Sequence, residues 1–96
     1  MSVLVVGMSH RSAPVALLER LSMDDAVQHR ATEELLEQPS LSEAMIISTC
    51  NRLEIYCVTN AFHAGVQEAL EVLADVSGVA EAELRTYLYA VSYTHL

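Results

Sequence analysis

Ser48-Thr49-Cys50-Asn51-Arg52 is the segment of this chain whose residue types can do covalent chemistry. Two hydroxyls, an amide and a fixed positive charge crowd one thiol. The nucleophile in cysteine chemistry is the thiolate, and a guanidinium or the N–H groups of a turn favour it. Cys50 is therefore the candidate nucleophile. Arg52, two positions on, is the candidate partner for an acidic group, because a guanidinium can grip a carboxylate with two parallel hydrogen bonds. Thr49 and Asn51 offer further hydrogen bonds to a bound molecule. Each has a plainer reading: Cys50 as a structural cysteine in a hairpin, Arg52 as a surface ion pair with Glu54, and Thr49 and Asn51 as residues that satisfy a tight turn. The residues alone leave both open for Cys50, while their position beside the thiol favours binding for Thr49 and Asn51.

The remaining candidates are weaker. Cys57 alternates with Leu53 and Ile55, which places it on an apolar face, where a thiol packs as a small hydrophobe. The six residues between the two cysteines match no common zinc-ligand spacing and the four histidines are scattered, so no metal is expected. His10, Arg11 and Ser12 form a polar group in a loop near the start of the chain. His29 and His63 fall on outward helix faces and take no role. The acidic residues of the helices read as a solvated surface.

The elements that must position Cys50 follow from periodicity. Val3 to Met8 reads as a buried strand, followed by a polar loop ending at Pro14 and a short helix from Val15 to Leu21. A second helix is expected from Met23, with Ser22 and Asp25 as a capping box, an inward stripe of Met23, Val27, Ala31 and Leu35, and a stop at Pro39. Ala44 to Ser48 and Leu53 to Val58 read as strands. Their short connection predicts an antiparallel hairpin with Cys50 at its exposed end. A third helix buries Val66, Ala69, Leu70 and Leu73 and ends at Gly78. Ala80 to Arg85 adds a helical turn, and Thr86 to Val91 has the composition of a last strand. Strand, helix, strand, strand, helix, strand is the order of the ferredoxin-like split βαβ fold, an α+β sandwich with helices on one face of an antiparallel sheet.

Composition bounds the class. The 96 residues suit one domain, and 52% are hydrophobic without a run near the roughly 20 residues of a membrane helix. No basic leader precedes the first strand, so the expected location is the cytoplasm, with both cysteines as free thiols. Thirteen acidic residues against five arginines, with no lysine, give a net charge of −8. Such a surface repels polyphosphate on average, so any RNA contact is local.

Two stretches carry a resemblance to a known family: Gly7-Met8-Ser9-His10-Arg11-Ser12-Ala13-Pro14-Val15 and Ser48-Thr49-Cys50-Asn51-Arg52-Leu53-Glu54-Ile55-Tyr56. Both resemble the N-terminal catalytic domain of glutamyl-tRNA reductase, and the likeness runs by pattern from about Val3 to Tyr89. The resemblance implies an enzyme of tetrapyrrole biosynthesis in which Cys50 attacks glutamyl-tRNA to give a thioester, with Thr49, Asn51 and Arg52 orienting the glutamyl group. NADPH then reduces the thioester to glutamate-1-semialdehyde. Full-length members of the family add a dinucleotide-binding domain and a helical domain that makes a homodimer, and neither is expected here because no glycine fingerprint occurs. This piece alone is expected to reduce nothing. Residues 1–91 are read as the incomplete catalytic domain and 92–96 as a tail that departs from the family, a truncated or foreign end. His95 is given no part in catalysis although the family uses a histidine in a helix that follows. The competing reading is a non-catalytic ferredoxin-like binding or regulatory module.

Overall fold

The computed structural model describes residues 2–94. Eight elements follow in order: β1 (Ser2–Ser9), α1 (Val15–Leu21), α2 (Asp25–Leu36), β2 (Leu41–Ser48), β3 (Arg52–Thr59), α3 (Phe62–Ser77), α4 (Glu81–Tyr87) and β4 (Tyr89–Thr94). The sheet order is β2-β3-β1-β4 and every neighbouring pair is antiparallel. Each βαβ half therefore has its two strands parallel with a strand of the other half inserted between them, which is the expected ferredoxin-like arrangement. No helix of the described residues is long and apolar enough to cross a membrane.

Alternation along the strands divides the sheet into two faces. Leu4, Val6, Met8, Ile46, Leu53, Ile55 and Cys57 point to one side and meet Leu17, Leu18 and Leu21 of α1, Ala31 and Leu35 of α2, and Ala69, Leu70, Val72 and Leu73 of α3. This cluster is the core. The odd-numbered residues of β1 and the even-numbered residues of β3 point the other way, so Gly7 and Glu54 lie on the face without helices. There β1 is central, and Gly7 has Glu54 of β3 as its partner on one side and Tyr89 of β4 on the other.

Strand β2 begins at Leu41, three residues before the expected Ala44, and α2 ends at Leu36, ahead of Pro39; two further boundaries differ from the sequence expectation for identifiable reasons. The cap of α2 is Asp24, whose carboxylate accepts a hydrogen bond from the Val27 amide at 2.8 Å, and not Ser22, which closes α1 instead. An ionised carboxylate at the positive end of a helix is the better acceptor, and α1 and α2 are too close in sequence for Ser22 to serve both. Asp24→Ala is accordingly expected to cost about 1 kcal/mol of folding stability and Ser22→Ala less than about 0.5 kcal/mol, measured by denaturant unfolding.

The second difference lies after Gly78, which takes the left-handed conformation (φ 74°) expected of a helix C-cap. Helix α4 runs on to Tyr87, so Thr86 and Tyr87 are helical and the last strand begins at Tyr89. Leu84 is fully buried and anchors that helix to the core, which overrides the strand preference of the residues after it.

Candidate active site

The β2–β3 connection is Thr49-Cys50-Asn51, with Cys50 and Asn51 at the tip closed by a hydrogen bond from the Thr49 amide to the Arg52 carbonyl at 2.9 Å. Thr49 Oγ1 accepts from the amides of Asn51 and Arg52, both at 3.2 Å. One hydroxyl thus serves the donors that a tight turn leaves without strand partners, which explains a threonine directly before the thiol. Cys50 is exposed and is a free thiol. The sequence-based placement of this residue at an open sheet end agrees with the structure.

The tip does not stand alone. The His10 amide donates to the Asn51 carbonyl at 2.8 Å, joining the loop after β1 to the hairpin end. That loop is itself held by Ser12, whose Oγ accepts from the Ser9 amide at 3.0 Å, and by the Ser12 and Ala13 amides, which both reach the Ser9 carbonyl at 2.9 Å. Between the two loops and the helix-free face lies a polar cleft of about 550 Å³. Thr49, Asn51 and Arg52 line it, together with Ser9, His10, Arg11, Glu54 and Tyr89, while Cys50 sits at the hairpin tip between two lining residues and is not itself part of the wall.

The cleft is electrostatically divided. Arg20 pairs with Glu83 at 3.5 Å, and Arg85 bonds Gln67. Arg11 and Arg52, by contrast, have no ion-pair partner within 4 Å among the described residues, so the surface pair of Arg52 with Glu54 does not form. Two unneutralised guanidinium groups therefore border a cleft in a strongly acidic chain. The Asn51 side-chain amide also makes no hydrogen bond among the described residues.

Glu54 is engaged otherwise. Its Oε2 accepts from the Tyr89 phenol at 2.8 Å and its Oε1 from the Tyr56 phenol at 3.0 Å. Tyr89 reaches across because its partner position on β1 is Gly7, whose missing side chain leaves room for the phenol and the carboxylate to meet above the central strand. Burial pushes the Tyr89 hydroxyl up to about 12, reinforced by its bond to Glu54 and the charge of that carboxylate, with Arg52 pulling the other way. The phenol stays protonated and remains a donor.

Cys57 lies in the core, and burial pushes its thiol up to about 11. The unfolded chain, with an ordinary thiol near 9.0, loses that proton first as pH rises. The folded state then holds the extra proton, so stability is full below about pH 9 and falls as pH climbs through 11. Cys57→Ala is expected to remove up to about 2 kcal/mol of this alkaline loss, read as the difference between variant and parent in urea unfolding at pH 8 and pH 11.

Other sequence assignments resolve simply. His29 Nε2 lies 3.4 Å from Glu33 on an exposed helix face, and His63 packs edge-on against Phe62, both away from the cleft. His95 lies outside the described residues. Among those described, no group of three or more His, Cys, Asp or Glu is arranged to hold a metal. In the sequence reading Arg11 is named only as a donor in the loop after the first strand, and the places of Glu54 and Tyr89 in the cleft are missed. Glu54 was legible from its alternation with Arg52 and Tyr56 on the face opposite Leu53, whereas Arg11 and Tyr89 depend on which strand ends lie side by side.

Comparison with known proteins gives the family. The family described as glutamyl-tRNAGlu reductase, N-terminal domain, matches residues 6–95. The chain is 66% identical over 89 residues to a glutamyl-tRNA reductase of Corynebacterium diphtheriae, covering 93% of this chain and 20% of that protein. It is 67% identical over 89 residues to the glutamyl-tRNA reductase of Corynebacterium aurimucosum, covering 93% and 19%. The chain thus spans about a fifth of the length of these relatives.

Proposed function

The chain belongs to the glutamyl-tRNA reductase N-terminal domain family, and from that premise we propose that it carries out the acyl-transfer half of a glutamyl-tRNA reductase reaction. The Cys50 sulfur attacks the ester carbonyl that joins the glutamyl group to the terminal ribose of its tRNA. A carbon–sulfur bond forms, the carbon–oxygen bond to the ribose breaks, and the thiol proton ends on the departing ribose oxygen. The product is a glutamyl thioester on Cys50 and free tRNA. A thioester is a better electrophile than the oxygen ester it replaces, and the covalent link keeps it in place for the next step.

The observation that carries this reading is the exposed thiol at a hairpin tip whose neighbours line a cleft with two guanidinium groups that have no ion-pair partner among the described residues. Arg52 and Arg11 suit the γ-carboxylate of a glutamyl chain, and the Asn51 side-chain amide suits its ester carbonyl, with Thr49 holding the turn that presents them. Only the acyl end of the substrate needs to enter, which fits an acidic surface that repels the rest of a tRNA.

Reduction of the thioester to glutamate-1-semialdehyde, a precursor step in tetrapyrrole biosynthesis, needs hydride from NADPH. The residues here do not fit that cofactor. Gly7 lies within a strand, Gly65 within a helix and Gly78 at a helix end, so none forms the glycine turn between a strand and a helix that cradles a pyrophosphate. We assign NADPH binding and homodimerisation to the longer protein, and the cytoplasm as its place of action. Alone, the chain is expected to hydrolyse any thioester it forms.

The test is to incubate the chain with glutamyl-tRNA and map acyl adducts by mass spectrometry after acid quenching. A glutamyl adduct on Cys50 is expected. An adduct on Cys57, or tRNA retained without any acylation, overturns the proposal, and the second outcome favours a non-catalytic binding module.

A further inference from the structure

We propose that Glu54 is a specificity-determining residue that receives the α-ammonium group of the acyl substrate, so that the cleft reads both charges of a glutamyl group. The inference rests on the acyl-transfer reading and deepens it.

The glutamyl group has two charges, an anionic γ-carboxylate and a cationic α-ammonium, four bonds apart. The cleft carries the complementary pair. Arg52 and Glu54 are two residues apart on the same face of β3, roughly 6.6 Å along the strand. Neither neutralises the other, since no ion pair joins them among the described residues. Arg52 is next to the thiol-bearing tip and Glu54 is one pleat deeper, between the tip and the floor over Gly7.

Glu54 is also held for the purpose. Its oxygens each accept one phenol, from Tyr56 and from Tyr89, and an ionised carboxylate has about four acceptor positions, so capacity remains on the side that lines the cleft. The phenols are neutral donors, which fix the carboxylate without cancelling its charge. An ordinary structural carboxylate would be neutralised by a cation, and the two nearby guanidiniums leave it alone. Among the described residues, Glu54 is the one anionic group lining a cleft that otherwise offers Arg11, Arg52 and polar groups. An α-ammonium is the part of the substrate for which such a charge is suited, and an acyl group lacking it loses a charge-assisted hydrogen bond.

The experiment compares Cys50 acylation by glutamyl-tRNA with acylation by its nitrous-acid product, 2-hydroxyglutaryl-tRNA, which keeps the γ-carboxylate and ester but replaces the ammonium with a neutral hydroxyl. The parent chain is expected to favour the glutamyl substrate by about 10-fold or more, and Glu54→Gln to bring the ratio close to one. Tyr89→Phe, which keeps the carboxylate, is expected to retain most of the preference, and thermal melts confirm that each variant is folded. A ratio in Glu54→Gln equal to that of the parent overturns the inference even if both rates fall, because a purely structural role slows both substrates alike. Equal rates in the parent overturn it as well while leaving acyl transfer standing. No adduct from either substrate in the parent overturns the acyl-transfer reading and this inference with it.

Discussion

Cys50→Ser is expected to lower acylation of the chain by glutamyl-tRNA at least about 10³-fold, with folding stability unchanged to within about 0.5 kcal/mol. The two halves of that result have separate physical causes. A serine hydroxyl is far less acidic than a thiol and needs a general base close by to act as a nucleophile. Its immediate neighbours Thr49 and Asn51 provide none, and Thr49 Oγ1 is already committed to the turn amides. Even if an acyl serine formed, it would be another oxygen ester with no gain in electrophilicity. Stability is spared because Cys50 is exposed and its side chain makes no contact with the core. Acylation is read by mass spectrometry and stability by urea unfolding. A serine variant that acylates at a tenth of the parent rate, or one that unfolds, contradicts the reading of Cys50 as an exposed nucleophile.

Gly7→Ala has the second largest expected effect, a loss of about 2 kcal/mol in folding stability. A methyl group at this position would come within 2.7 Å of the Leu53 carbonyl oxygen, 3.0 Å of the Tyr89 hydroxyl and 3.1 Å of Glu54 Cγ. The first of these atoms belongs to the backbone of a central strand and cannot swing aside. The other two are the parts that meet above β1, so the same methyl group is expected to part Tyr89 from Glu54. Tyr89→Phe in the Gly7→Ala background removes the hydroxyl contact but not the carbonyl one, and is expected to restore less than half of the lost stability. Full restoration would show that the phenol alone is the obstacle. The change is measured as a shift in the urea midpoint at constant m-value.

The sequence was a good guide wherever one element decided the outcome. Leu53, Ile55 and Cys57 alternate strictly, so the face that β3 turns to the core followed from its period, and the short Thr49–Arg52 connection fixed a hairpin with the thiol at its end. The fold class followed from the order of the elements. It was a poorer guide where two nearby groups competed for one task. Ser22 and Asp24 can both begin a helix, and the choice depends on Ser22 being used by the helix before it. Thr86 and Tyr87 have strand composition, yet the burial of Leu84 draws them into α4. The cleft was least legible of all. Tyr89 meets Glu54 only because β4 and β3 flank the same central strand, and that neighbourhood lies in the pairing of residues more than thirty positions apart.

Chain connectivity also gives the cleft a history. During synthesis the β2–β3 hairpin leaves the ribosome with its partner β1 already available, whereas Tyr89 arrives on the last strand to dock. A nascent chain therefore carries the Cys50 sulfur some forty residues before it possesses the tyrosine that donates to Glu54. The hairpin end is thus complete before the Tyr89 side of the cleft exists, and the Glu54 carboxylate waits for one of its two phenol donors until the last strand arrives.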